Sequence, residues 1–236
     1  MMERGQYTLN EILSQPVAWA QALEMIGSLK TEINQLWNDH PKIRVVFAGC
    51  GSTYYLSLAA AALFQELTGR EARAVPAGEL ILYPKIHYEA DKPTLLVAIS
   101  RSGTTTETIV AAQQFMDANR GPLIVITNYE DTPLTELSDL SIVIPAGQEK
   151  SVAQTRSFAS MYLAATSFAV LSAGRLDLLE QMSALPAIGE QLIRKYKNLA
   201  RMVGENLAID RFYFLGSGPR PAQPVLRGER GHRAPA

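Results

Sequence analysis

Hydroxyl side chains crowd around a single glycine in Ser100-Arg101-Ser102-Gly103-Thr104-Thr105-Thr106-Glu107. The run follows the apolar residues 95–99 directly, and such a continuous stretch is the pattern of a strand buried in a parallel sheet. Thr104 with Glu107 three positions on has capping-box spacing, which predicts a helix beginning there. A turn that leaves a strand and opens a helix offers unpaired backbone N–H groups at the positive end of a helix dipole. With hydroxyl donors added, it is a place for an anion, and a phosphate fits it best. Gly103 lets the backbone come close to a ligand and take φ > 0 if the turn needs it. The competing reading is a turn whose hydroxyls only cap the helix.

Two further turns are of the same kind. Gly49-Cys50-Gly51-Ser52-Thr53 follows one apolar run, and Gly147-Gln148-Glu149-Lys150-Ser151-Val152-Ala153-Gln154-Thr155 follows another. One such turn is weak evidence. Three of them, after the first, third and fifth strands of a parallel sheet, project from the same edge and point to a small polar pocket. The bland alternative is three unrelated capped turns. Other chemistries are poorly served. Tyr54 stands where a dinucleotide fingerprint needs its third glycine, and Glu71 falls at the start of the second strand rather than its end, so NAD is not expected. No Gly-x-x-x-x-Gly-Lys and no Gly-x-Ser-x-Gly occurs, which leaves a P-loop and a serine hydrolase without support.

These turns need elements to hold them. Strands are predicted at 44–48, 72–76, 94–99, 122–127 and 140–144, with helices at 56–67 and 107–119, each closed by a glycine (Gly69, Gly121). This alternation implies a parallel sheet covered on both faces, because right-handed crossovers place helices there. The fold class is α/β: a flavodoxin-like three-layer α/β/α sandwich on a five-stranded parallel sheet. Before the sheet, residues 8–40 read as helical. Thr8 and Glu11 have capping-box spacing, Pro16 opens a second helix or kinks the first, and Leu23, Ile26, Ile33, Leu36 and Trp37 recur at helical spacing. Residues 154–171 and 185–207 complete the helices.

Composition excludes several partners. Lys+Arg number 22 against Asp+Glu 23, so neither nucleic acid nor an anionic membrane is expected as partner. No apolar run approaches a membrane span, and the first residues lack a signal-peptide core. Cys50 is the only cysteine, which rules out an intramolecular disulfide and makes a cytoplasmic setting the default. With three scattered histidines beside it, no metal site is expected.

Taken together, Gly-Cys-Gly-Ser, Ser-Arg-Ser-Gly-Thr-Thr-x-Glu-Thr and Glu-Lys-Ser-Val-Ala-Gln-Thr-Arg-Ser-Phe resemble the SIS (sugar isomerase) domain family. They are similar to the isomerase half of glutamine–fructose-6-phosphate transaminase and to related amino-sugar-phosphate isomerase/deaminases. The segment from Glu11 to Pro16 is similar to the one leading into that half. The resemblance implies a sugar-phosphate ligand and no cofactor. By it, phosphate sits on Ser100, Ser102 and Thr105 with neighbouring backbone N–H groups, joined by Thr53; Gly51, Ser52, Arg101, Gly103 and Thr104 belong to the same phosphosugar-binding set, and Val152, Ala153 and Gln154 line the sugar. Arg101 either adds a charge-assisted contact to phosphate or points to solvent. A homodimer is expected, since family sites are often completed by a neighbouring subunit.

Two departures matter. The transaminase hydrolyses glutamine with an N-terminal cysteine, whereas this chain begins Met1-Met2. In two-domain relatives the general base and the lysine that handles the open-chain sugar lie in a second SIS copy. Glu149 is the candidate base among the three turns, but a turn residue accepting backbone N–H bonds is its competing role. A repeat marks where a second copy begins: Arg44-x-x-Phe-x-Gly-x-Gly recurs as Arg211-x-x-Phe-x-Gly-x-Gly. The expected organisation is an N-terminal helical segment over 1–40, a SIS domain over 41–183, a connecting helix over 184–209, and the start of a second copy over 210–218. Residues 219–236 are rich in Pro, Arg and Gly without periodicity, and read as a non-native, truncated or frame-shifted tail. Two functions are therefore expected in competition: part of a hexose or hexosamine 6-phosphate isomerase or deaminase, inactive alone, or a non-catalytic phosphosugar sensor.

Overall fold

Continuous apolar stretches become strands in this protein because both faces of its sheet are covered. The computed structural model describes residues 5–89 and 92–212. Three helices come first: α1 (Gln6–Leu13), α2 (Gln15–Ser28) and α3 (Lys30–Asp39). Next come β1 (Arg44–Gly49), α4 (Ser52–Thr68), β2 (Ala72–Pro76), α5 (Ala77–Leu82), α6 (Pro84–His87), β3 (Thr94–Ile99) and α7 (Thr106–Asp117). The chain continues through β4 (Leu123–Thr127), α8 (Pro133–Glu136), β5 (Leu140–Val143), a 3-10 turn over Pro145–Gly147, α9 (Arg156–Ser172), α10 (Leu176–Met182) and α11 (Leu185–Glu205). Among the described residues the five strands form one sheet in the order β2-β1-β3-β4-β5, all parallel. This is the flavodoxin-like α/β sandwich that the alternation predicts.

Alternate residues of each strand feed two cores. Val45, Phe47, Leu95, Val97, Ile99, Ile124, Ile126 and Ile142 pack with helices α2, α3, α4 and α9 on one face. Val46, Ala48, Leu96, Ala98, Leu123 and Val125 pack with α5, α7 and α8 on the other. The period of two is what a pleated strand requires. Ala22, Ile26, Ile33 and Trp37 join the first core, so α2 and α3 are built into the sandwich.

Where the structure departs from the sequence reading, local signals lost to tertiary ones. The helical region over 8–40 is three helices, broken at Ser14 and Leu29, with Pro16 in the first turn of α2, where its missing N–H costs nothing. Thr8 caps nothing: α1 starts at Gln6 after a left-handed Gly5, and Glu11 turns inward instead. Thr104 is not the cap of α7 either; that place belongs to Thr105, one residue later. Of the repeat predicted at 211–218, residues 213–218 lie outside the described residues, as does the tail from 219.

Phe64 anchors the first core. It is fully buried, stacked on Phe168 at 5.7 Å between ring centres and flanked by Trp37 at 5.7 Å and Phe47 at 5.8 Å. Phe64→Ala removes an aromatic side chain from a close-packed cluster and will destabilise the protein by about 3–5 kcal/mol. Urea denaturation will show this as a lowered midpoint with an unchanged slope.

Candidate functional site

The turn from β3 to α7 is built so that its helix end stays open. Thr105 is the N-cap, yet its side chain accepts no bond from the first turn. Its Oγ1 lies 3.1 Å from Oγ of Ser100, a residue 1% exposed. Ser102 Oγ accepts from the Thr104 hydroxyl at 2.9 Å and from the Thr104 N–H at 3.3 Å. The hydroxyls thus organise one another, and the leading N–H groups of α7, which have no intrahelical acceptor, keep their facing direction. Gly103 has φ 64° and lies against Thr132, where a Cβ would collide with the threonine side chain. Thr132 in turn caps α8 through a reciprocal bond pair with Thr135.

The turn from β1 to α4 is tight. Thr53 is 4% exposed; its hydroxyl donates to the Cys50 carbonyl at 2.9 Å and accepts from the Cys50 N–H at 3.0 Å. Predicted beside the phosphate, Thr53 is committed to closing its own turn, and a Cβ on Gly49 would come within 2.6 Å of it. Gly51 is the N-cap of α4 and places no side chain over that helix end; Ser52 follows at its first position. Burial pushes the Cys50 thiol up, against the opposing Thr108 hydroxyl and with the Glu107 charge adding to it. Cys50 is therefore held as a thiol and not as a nucleophilic thiolate.

Two carboxylates hold the third turn, over 148–155. Glu149 accepts from the Thr155 N–H at 2.7 Å, from the Thr155 hydroxyl, and from Ser157 Oγ. An anion at the start of α9 is favourable, and both oxygens of Glu149 are committed there. The second carboxylate comes from the far end of the chain. Glu11 of α1, 3% exposed, accepts from the Lys150 N–H at 2.7 Å, the Ser151 N–H at 3.2 Å and the Ser151 hydroxyl. Nearby, Arg156 donates to Ser14 Oγ at 2.7 Å and Gln21 Oε1 accepts from the Ala146 N–H at 2.6 Å. Burial alone would raise the Glu11 pKa, but the Ser151 hydroxyl, the two amides and the Arg156 charge outweigh it and hold the carboxyl below its ordinary value.

Contacts join the three turns. Thr108, in the first turn of α7, donates to Cys50 Sγ at 3.7 Å, and Arg101 Nη1 donates to the Val152 carbonyl at 3.3 Å. Arg101 thus ties the second turn to the third. Val152 is 93% exposed and Ala153 is exposed at the crest, while Gln154 is half-buried with its Oε1 enclosed and unpartnered. Sequence reasoning passed over Glu11 as a helix cap. The signal available was its membership in a segment that resembles one leading into the family's isomerase half. Among the described residues no cluster of His, Cys, Asp and Glu has a metal-site arrangement, and no helix is long and apolar enough to cross a membrane.

The family model described as SIS domain matches residues 40–171. The chain is 29% identical over 237 residues to a glutamine–fructose-6-phosphate aminotransferase (isomerizing) of Thermococcus kodakarensis, covering 92% of this chain and 37% of that one. It superposes on the tagatose-6-phosphate ketose/aldose isomerase of Escherichia coli with a TM-score of 0.79 at 21% identity, covering 91% of this chain and 60% of the other. Against a glucosamine-6-phosphate deaminase of Thermotoga maritima the TM-score is 0.62 at 29% identity, covering 84% and 62%. The chain therefore spans a little over a third of the aminotransferase and about three fifths of the other two.

Two outcomes follow from this geometry. Gly103→Ala forces a side chain into Thr132 at a left-handed φ and will cost about 1–3 kcal/mol, read as a lowered thermal midpoint. Because folding depresses the Glu11 pKa, its contribution is complete above the ordinary carboxylate range and is lost as pH falls through the native value. The stability gap between the wild type and Glu11→Gln, measured by urea denaturation at several pH values, will be widest near neutrality and close under acid.

Proposed function

Because this chain belongs to the SIS domain family, related to phosphosugar isomerase and deaminase domains, we propose that its carboxyl sheet edge binds a hexose or hexosamine 6-phosphate. The observation that carries this reading is the open start of α7. Its capping threonine, Thr105, turns its hydroxyl to buried Ser100 and not to the helix, so that N–H groups and hydroxyls face one anion together. The phosphate takes Ser100, Ser102 and Thr105 with the N–H groups of this turn. The first turn contributes backbone and Ser52, with Thr53 supporting from behind. Val152, Ala153 and Gln154 cover the sugar. A sugar phosphate is the partner; a second copy of the chain closing the site is part of the same proposal.

The reaction class is aldose–ketose isomerisation or deamination through an enediol or enediolamine, with its base supplied from outside the three turns. A second reading, a non-catalytic phosphosugar sensor, draws support from Glu149: both oxygens of the candidate base are taken by Thr155 and Ser157. Turnover by the chain contradicts this second reading.

Titration calorimetry with fructose 6-phosphate and glucosamine 6-phosphate tests the binding reading. Thr105→Ala removes a hydrogen bond to a charged group and will weaken binding by about 1.5–3 kcal/mol. A folded wild-type sample that binds neither sugar phosphate contradicts the assignment.

A further inference from the structure

Helix α1 is docked the wrong way round for a core helix. Its one buried residue is Glu11, while Tyr7, Leu9, Ile12 and Leu13 are exposed. A buried carboxylate on a helix that leaves its apolar side chains outside is not explained by hydrophobic docking. What the carboxylate does is specific. It gathers two consecutive amides, Lys150 and Ser151, together with the Ser151 hydroxyl, across a separation of 139 and 140 residues. The next residues are Val152, Ala153 and Gln154. At the other side of this crest Arg101 holds the Val152 carbonyl. The crest is thus held by Arg101 from the phosphate turn and, from α1, by Glu11 through Ser151, whose hydroxyl also lies 3.2 Å from the Ala153 carbonyl; of the two, Glu11 lies outside the proposed phosphate contacts.

Building on the phosphosugar reading above, we infer that Glu11 is a positioning residue: its carboxylate sets the height and tilt of residues 152–154 over the sugar without touching the ligand. The phosphate turn needs no such help, because its own hydroxyls and Thr132 hold it. Loss of Glu11 therefore separates two affinities that a structural defect would lower together. Recognition of the sugar falls, and recognition of the bare anion does not.

The experiment compares wild type, Glu11→Ala and Glu11→Gln by calorimetry with fructose 6-phosphate, glucosamine 6-phosphate and inorganic phosphate, with hydrogen exchange on the same samples. Glu11→Ala will weaken sugar-phosphate binding about 10- to 100-fold, the scale for misplacing a supporting loop by about 1 Å, with inorganic phosphate affinity unchanged. Exchange will quicken over 149–155 and stay the same in β1, β3 and α9. Glu11→Gln will recover part of the loss, since its amide oxygen still accepts both backbone bonds. The isosteric variant also carries the test should the alanine variant misfold. Equal sugar-phosphate affinity in wild type and Glu11→Ala overturns the inference, as does a parallel loss for sugar phosphate and inorganic phosphate with a lowered thermal midpoint. Wild type that binds inorganic phosphate but neither sugar phosphate sinks the ligand assignment and the positioning role with it. Unchanged exchange at 150–151 in Glu11→Ala sinks the positioning role alone.

Discussion

Parallel pairing of β1 with β3 is the constraint from which the rest of the site follows. The register runs from Arg44 opposite Thr94 to Ala48 opposite Ala98, so the two strands finish level and their turns leave side by side. Antiparallel pairing of the same strands would send them to opposite edges. Level strand ends let Thr108 reach Cys50 and set the starts of α4 and α7 next to each other. On the proposed reading no binding residue need be long, because backbone and short hydroxyls of the two turns lie side by side.

The third turn has no such luck. Strand β5 lies two positions from β3 in the sheet, a lateral distance of roughly 10 Å at the usual strand spacing. To reach the phosphate turn, residues 148–155 must lean back across the end of β4. A leaning loop exposes backbone N–H groups that no neighbouring strand can take, and these must be satisfied. The chain answers with carboxylates: Glu149 from within the loop and Glu11 from α1. Ser14 and Gln21 take further bonds at the base of the same loop. Seen this way, the first two helices owe part of their place in the fold to the geometry of the sheet edge.

This also explains what was legible in the sequence. The strands were readable because burial on both faces leaves uninterrupted apolar runs, and residues 72–76 and 94–99 match β2 and β3 end to end. The turn around Gly103 was readable as a strand-to-helix turn because the apolar run of β3 gives way to a glycine flanked by hydroxyls; the anion it is proposed to hold belongs to the functional reading. The caps were not. Thr8–Glu11 and Thr104–Glu107 both have the right spacing, but spacing says nothing about competing partners. Glu11 found two amides almost 140 residues away, and Ser100 lies next to the hydroxyl of Thr105, which shifted the cap by one residue. The sequence does not choose between phosphate and solvent for Arg101, and in the structure it has a third partner, the Val152 carbonyl. No local pattern encodes a contact between two loops from different strands.

Binding a dianion and drawing a proton from the carbon beside it make opposite demands on local charge. A bare carboxylate within about 8 Å of a phosphate costs roughly 2 kcal/mol per unit charge at an effective dielectric near 20. On the proposed reading, the third turn resolves the conflict in favour of binding. Glu149 faces the positive start of α9 with its acceptors filled, Glu11 is buried among donors near Arg156, and the charged group left reaching across the edge is Arg101. On the proposed reading, the third turn is compatible with a nearby phosphate because its two carboxylates have their acceptors filled. The third turn is for the same reason poor in free base. If the reaction proposed here takes place, the proton acceptor belongs on an element that approaches the sugar from the side away from the phosphate turn. Division of labour between a binding edge and a separate source of base is then a consequence of electrostatics and not an accident of chain length.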